Sequence, residues 1–290
     1  MDVSRVETSP WAAPRQRAEA LRDRHAFATE VLTLYLALLE VWEEAWHGAR
    51  SAARAGPVPM PPEALPGWAA EHVLPRVVAA TAESGPEPLV ESLFPNPVEN
   101  NGAGEELLAA WLAGDELVPV ERYLARASLR GPLAAVDAGA ACARDPSPRS
   151  GRRCPACGGP PQLSFRTDAG DHLVSGGRRL LCARCGESWR YSSSACASCG
   201  ETSGGRRTIY AEQREGPQVG RGAPAGKSGD TTFPHIRVDG CASCERYLID
   251  VDLGRDPRAV PEVDELSALP LDLYAAERGL SKITPNLMGF

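Results

Sequence analysis

The sequence predicts an α+β protein, with a helical bundle over residues 1–149 followed by tandem small β modules and a terminal helix over residues 150–290. Three observations lead there. Eight of the nine cysteines lie between Cys154 and Cys244, in four identically spaced CxxC pairs. The first 150 residues hold only Cys142. Helical periodicity runs through that first half and is scarce from there to Glu262.

At 290 residues with 43% hydrophobic side chains, the chain is large enough to bury a core. Its net charge of −7 argues against a phosphate-backbone partner, because affinity for nucleic acid rests on clustered Lys and Arg. Lys227 and Lys282 are the only lysines, so nearly all 31 basic residues are Arg, alongside much Ala, Gly and Pro. A GC-rich genome explains that pattern, and single arginines accordingly receive little functional weight.

Met1–Glu30 carries early acids and no apolar run before a small-residue cleavage site, so no signal peptide is expected. The most apolar stretch, Val31–Trp46, is interrupted by Thr33, Glu40, Glu43 and Glu44, and is shorter than the roughly 20 residues of a membrane-spanning helix. A cytoplasmic protein without membrane insertion is the expectation. In a reducing compartment paired CxxC spacings indicate metal sites or redox centres rather than disulfides.

In the first half, Phe27, Val31, Leu34, Tyr35, Leu38, Trp42 and Ala45 recur at helical spacing and predict a long, mostly buried helix. Further helices fit Pro62–Ser84, Gly104–Ala113 and Val118–Arg130, each bounded by Gly, Pro or Asn. The prolines of Ser92–Val98 exclude helix there and indicate an ordered loop. His25, His47 and His72 lack a second ligand at metal spacing and read as structural. Trp11, Trp42, Trp46 and Trp68 suit a core better than a peptide groove. The two prolines of Asp145–Ser150 mark the boundary between halves.

In the second half, short strands are expected at Leu163–Arg166, Leu180–Leu181, Trp189–Tyr191, Thr208–Tyr210 and Ile236–Val238. A last helix is expected over Val263–Arg278, with Gly279 as its cap. Between the strands lie the pairs Cys154/Cys157, Cys182/Cys185, Cys196/Cys199 and Cys241/Cys244. Two intervening residues let one tight turn aim both sulfurs at a single ion. The Gly after the second cysteine relieves positive-φ strain, and the fourth pair, followed by Glu245, lacks it.

A tetrahedral ion takes four such sulfurs, so four knuckles make two sites. Sequential pairing groups Cys154, Cys157, Cys182 and Cys185, then Cys196, Cys199, Cys241 and Cys244, both with ribbon-like spacing. A nested pairing would join the two inner knuckles, which are separated by ten residues, and leave the outer two to meet across the domain. Four thiolates accept zinc or iron almost equally well. Closed sites of this kind are structural by default, and a single iron in the same cage can carry one electron. A thioredoxin-like role for one CxxC is weaker, since no βαβ pattern surrounds it. Cys142 is most simply a core residue.

Gly220–Ser228 imitates a phosphate-binding loop but carries Arg221 where the motif needs Gly. His172 and His235 could serve as ligands only if a knuckle were incomplete, and none is. No catalytic triad, acidic pair or dinucleotide turn stands out, so the chain is not expected to be an enzyme.

The order of these features is similar to that of the formate dehydrogenase accessory protein, the FdhE family. The carrying residues are Cys154–Gly159, Cys182–Trp189, Cys196–Gly200, Cys241–Leu248 and the closing Asp264–Leu273. The second half matches strongly and the first in outline, and the insertion at Glu215–Asp230 is longer than is usual for the family. The resemblance implies two rubredoxin-like modules holding iron, with zinc the alternative. It also implies a cytoplasmic maturation factor that binds the catalytic subunit of a respiratory formate dehydrogenase before twin-arginine export. The rival readings are a zinc-ribbon module for nucleic acid or protein, for which Arg152, Arg153, Arg178, Arg179, Arg184, Arg206 and Arg207 cluster near the knuckles, and a rubredoxin-like electron-transfer protein.

Overall fold

A computed structural model describes residues 9–54, 61–93, 102–136, 141, 151–167, 176–212 and 231–289. Of the loop expected at Ser92–Val98, Ser92 and Leu93 instead end a helix, and residues 94–98, Cys142, the boundary at 145–150, His172 and the phosphate-loop imitation at 220–228 lie outside the described residues.

Seven helices are described in the first half: α1 (Ala12–Arg24), α2 (Thr29–Arg54), α3 (Leu65–His72), α4 (Leu74–Ser84), α5 (Glu87–Leu93), α6 (Ala103–Ala113) and α7 (Pro119–Ala135). The long helix α2 forms because Leu32, Tyr35, Leu38, Leu39, Trp42, Ala45 and Ala49 build a wide apolar stripe, which packs on α1, α4 and α7. It approaches α7 closely at Gly131, where an added Cβ would lie 2.6 Å from the Trp42 carbonyl oxygen. The Trp42 indole N–H donates there to the Ala127 carbonyl at 2.7 Å.

The tryptophans Trp11, Trp42 and Trp46 are buried, in keeping with the core reading. Phe27, expected on the buried stripe, instead sits in a 3₁₀ turn before α2 and is 47% exposed. The helix expected over Pro62–Ser84 is two helices hinged at Val73, because Pro75 can donate no hydrogen bond back across the joint.

Seven strands are described: β1 (Pro161–Arg166), β2 (Arg178–Cys182), β3 (Ser188–Arg190), β4 (Arg207–Ala211), β5 (Ile236–Cys241), β6 (Arg246–Asp252) and β7 (Ser281–Lys282). They form one sheet in the order β3-β2-β1-β6-β5-β4, with β7 also against β6. Both halves of the sheet follow one plan: a knuckle, a strand, a second strand that turns through another knuckle, and a third strand. The halves meet where β1 runs parallel to β6, pairing Ser164 with Asp250 and Arg166 with Asp252. The two β modules therefore share a continuous sheet.

On one face of that sheet, Leu180, Leu248 and the first four knuckle cysteines join the core of the helical half. The opposite face carries a smaller cluster of Val238, Tyr247, Ile249 and Val251. The expected last helix is again two, α8 (Pro261–Ser267) and α9 (Leu269–Ala276), broken ahead of Pro270. Helix α8 packs against α1, α2, β1 and β6 and so wedges the sheet onto the bundle. Among the described residues, no helix is long and apolar enough to cross a membrane.

Candidate metal centres

The first three knuckles are turns in which the residue after the second cysteine folds back on the first. Gly158 N–H donates to Cys154 O at 2.9 Å, Gly186 to Cys182 at 3.2 Å and Gly200 to Cys196 at 2.9 Å. That closure drives φ to +75°, +74° and +84°, where glycine has no Cβ to clash. At the fourth knuckle Glu245 takes the same conformation with φ +55°, making it the one positive-φ residue other than glycine among those described. Backbone amides then reach the sulfurs: Arg184 N–H lies 3.3 Å from Cys182 Sγ, and Ser198 N–H 3.4 Å from Cys196 Sγ.

The eight sulfurs gather into two groups, Cys154/Cys157/Cys182/Cys185 and Cys196/Cys199/Cys241/Cys244, with the sulfurs of each group all within 4.8 Å of one another. This is the sequential arrangement rather than the nested one. In the first group Cys154 and Cys185 are 3.7 Å apart and Cys157 and Cys182 3.4 Å. In the second, both Cys196–Cys244 and Cys199–Cys241 are 3.8 Å. A tetrahedron with metal–sulfur bonds of 2.3 Å has an edge of about 3.8 Å, so both groups have the size of a four-thiolate cage.

Thiols crowded this closely cannot all ionise without a cation. Against an opposing bond to Cys157, hydrogen bonds from Cys182 and Cys185 bring Cys154 down to about 7. Cys182 and Cys185 are themselves held well above the ordinary thiol range, first by their bonds to Cys154.

The two groups differ in setting. Cys154, Cys157, Cys182 and Cys185 are buried in the main core, and an added Cβ at Gly159 would lie 2.8 Å from Cys182 Sγ. In the second group Cys199 is exposed and Cys244 half-buried.

Polar contacts tie the two groups together. Arg152 donates to the Ser198 carbonyl inside the third knuckle at 2.7 Å, and the Tyr191 hydroxyl to the Cys196 carbonyl at 2.9 Å. Buried Arg178 on β2 bonds Asp239 on β5 at 2.6 Å and the Ala195 carbonyl at 3.1 Å. Arg207 bonds the same aspartate. Sequence composition had discounted these arginines. Their partners lie far along the chain, and no local pattern announces them.

Among the described residues no histidine joins either group. His235 bonds Asp264 at 2.7 Å, His25 packs on Phe233, and His72 stacks on Trp68.

No family model matches the chain. Among curated proteins, FdhE homologues align with it: that of Aquifex aeolicus at 28% identity over 47% of this chain and 41% of its own length, and that of Pseudomonas aeruginosa at 32% over 47% and 38%. The Pseudomonas putida homologue aligns at 30% identity over 47% of this chain. The crystal structure of the FdhE protein from Pseudomonas aeruginosa superposes over 96% of this chain and 94% of its own, with a TM-score of 0.58 and 22% identity. The chain is similar to FdhE proteins in sequence over nearly half of its length and in fold over nearly all of it.

The aligned stretch spans less than half of each of these curated FdhE homologues, whereas the likeness of fold to the solved FdhE protein extends over nearly the whole chain.

Proposed function

We propose that this chain is an FdhE-type cytoplasmic accessory factor, without catalytic turnover of its own. In this reading it binds the catalytic subunit of a respiratory formate dehydrogenase during maturation, before export by the twin-arginine route. Its two sites, Cys154/Cys157/Cys182/Cys185 and Cys196/Cys199/Cys241/Cys244, each hold one iron. The observation that carries the reading is the pair of four-sulfur groups of cage size, built into an FdhE-like fold. The ions would fix the turns at the ends of the shared sheet, giving a rigid platform whose preorganisation lowers the entropic cost of client binding.

Several arginines that kept a nucleic-acid reading open are spent inside the protein. Arg178 and Arg207 face Asp239, and Arg179 bonds the Ser188 carbonyl and hydroxyl. That leaves a thinner basic stripe than such a module uses.

The test is co-purification of the full chain with a tagged formate dehydrogenase catalytic subunit from its own host under anoxic conditions. A complex that is lost when Cys154 and Cys157 are replaced by Ser supports the reading. Absence of the subunit from material with full metal content would sink it. Rubredoxin-like electron transfer is the second reading, favoured by the exposure of Cys199 at the second site. Rapid reduction and reoxidation by a defined donor and acceptor, with no client captured, would put it first.

A further inference from the structure

A cleft of about 680 Å³ opens between the bundle and the first metal centre, bounded by the end of α6, the start of α7, the residues flanking the first knuckle, the second and third knuckles and the segment after β7. Its basic lining includes Arg122, Arg153, Arg184 and Arg246, while Asp115 and Glu116 are its acids. None of those four arginines makes an ion pair among the described residues. Arg184 and Arg246 donate to backbone carbonyls, of Cys157 at 3.1 Å and of Lys282 at 3.2 Å.

Three of the lining residues also carry a buried donor without a partner: the Arg184 Nε–H, the Trp111 indole N–H and the Thr284 hydroxyl. All three side chains are at least nine-tenths buried. A buried donor left unmade costs about 1–3 kcal/mol, so an acceptor reaching these side chains from the cleft would recover part of that cost.

Arg184 is also held in place. Its guanidinium lies against Gly114, where an added Cβ would come within 2.7 Å, and 5.9 Å over the Trp111 ring.

We propose that this cleft binds a small molecule carrying two or more phosphate groups. Four guanidinium groups, an indole N–H and a hydroxyl offer more donors than one carboxylate, with about four acceptor positions, can use. The volume falls within the roughly 300–1,000 Å³ of small-molecule sites. Because the walls of the cleft include the turn around Arg184, between Cys182 and Cys185, an occupant would brace the first metal centre from outside.

The test is calorimetric titration of the metal-loaded full chain with inorganic diphosphate, and separately with tricarballylate, with metal content measured again afterwards. Saturable one-to-one binding of diphosphate is expected, weakening as salt is raised and stronger than binding of the tricarboxylate. Arg122→Gln and Arg153→Gln, both toward the open side, should each weaken it about tenfold. Thr284→Val should weaken it as well, and Arg258→Gln, outside the cleft, should leave it unchanged. Absence of saturable binding, preference for tricarballylate, or affinity insensitive to the cleft substitutions in folded protein would overturn the proposal.

Discussion

Arg17 on α1 and Asp264 on α8 form a two-pronged ion pair across 247 residues, with guanidinium nitrogens 3.0 and 2.5 Å from the two carboxylate oxygens. Asp264 is fully buried, and it also accepts from the Val260 amide at 2.8 Å and pairs with His235 at 2.7 Å. The first helix is thereby fastened to the helix that carries the sheet. Removing Arg17 leaves the buried Asp264 with only His235 and the Val260 amide, and breaking such a pair costs up to roughly 3–5 kcal/mol. Arg17→Met should lower the urea midpoint accordingly. Because the bundle and the sheet share one core, tryptophan fluorescence and far-ultraviolet dichroism should report a single coincident transition.

Asp250 sits at the parallel seam of the sheet, taking hydrogen bonds from Ser164, Arg166 and Arg237. Burial pushes its carboxyl up, yet Arg237 and Arg166 with the Ser164 hydroxyl outweigh that and hold it below its ordinary value of 3.8. A carboxylate depressed in the folded state stabilises the fold above its unfolded pKa, and that contribution disappears as pH falls through the folded value. Stability should therefore drop below about pH 4. Asp250→Asn should be weaker at pH 7 and lose less on acidification, which urea titrations at pH 3 and pH 7 would measure.

Glu245 occupies the backbone conformation that glycine holds in the other three knuckles. Glu245→Gly should stabilise the protein by about 1 kcal/mol, while Gly200→Ala should destabilise it by a similar amount. The Gly200 change is a clean comparison, since an added Cβ there meets nothing closer than 3.8 Å. Thermal unfolding of the two variants should shift in opposite directions.

The unequal burial of the two centres predicts unequal lability. With Cys199 exposed, the second ion should leave first under a chelator, giving two kinetic phases in a metallochromic assay. Cys199→Ser should remove the fast phase and leave most of the fold. Cys157→Ser strikes the shared core and should lose several kcal/mol of stability along with the slow phase.

The knuckles were legible in the sequence because metal ligation imposes a spacing, and the glycine after each of the first three pairs foretold the positive φ there, whereas the same conformation at Glu245 had no residue to announce it. The long helix α2 was legible from its apolar stripe. Helix α1 was not, because its buried face is made of Pro14, Arg17, Ala18 and Leu21, and the arginine hides the periodicity until Asp264 is seen. Strand β6 was missed for a related reason. Asp250 and Asp252 depress its strand propensity, and only the arginines of β1 and β5 make the buried Asp250 tolerable. The joining of two β modules at β1 and β6 left no local signal, since parallel pairing is decided by tertiary packing.

Metal content and absorption spectrum of protein purified without oxygen test the central claim most directly. The account predicts two irons per chain and thiolate-to-iron bands in the visible, with one iron lost on replacing Cys196 and Cys199 by Ser. Two zincs in colourless protein would contradict the iron assignment, and folded protein with no bound metal would contradict the centres themselves.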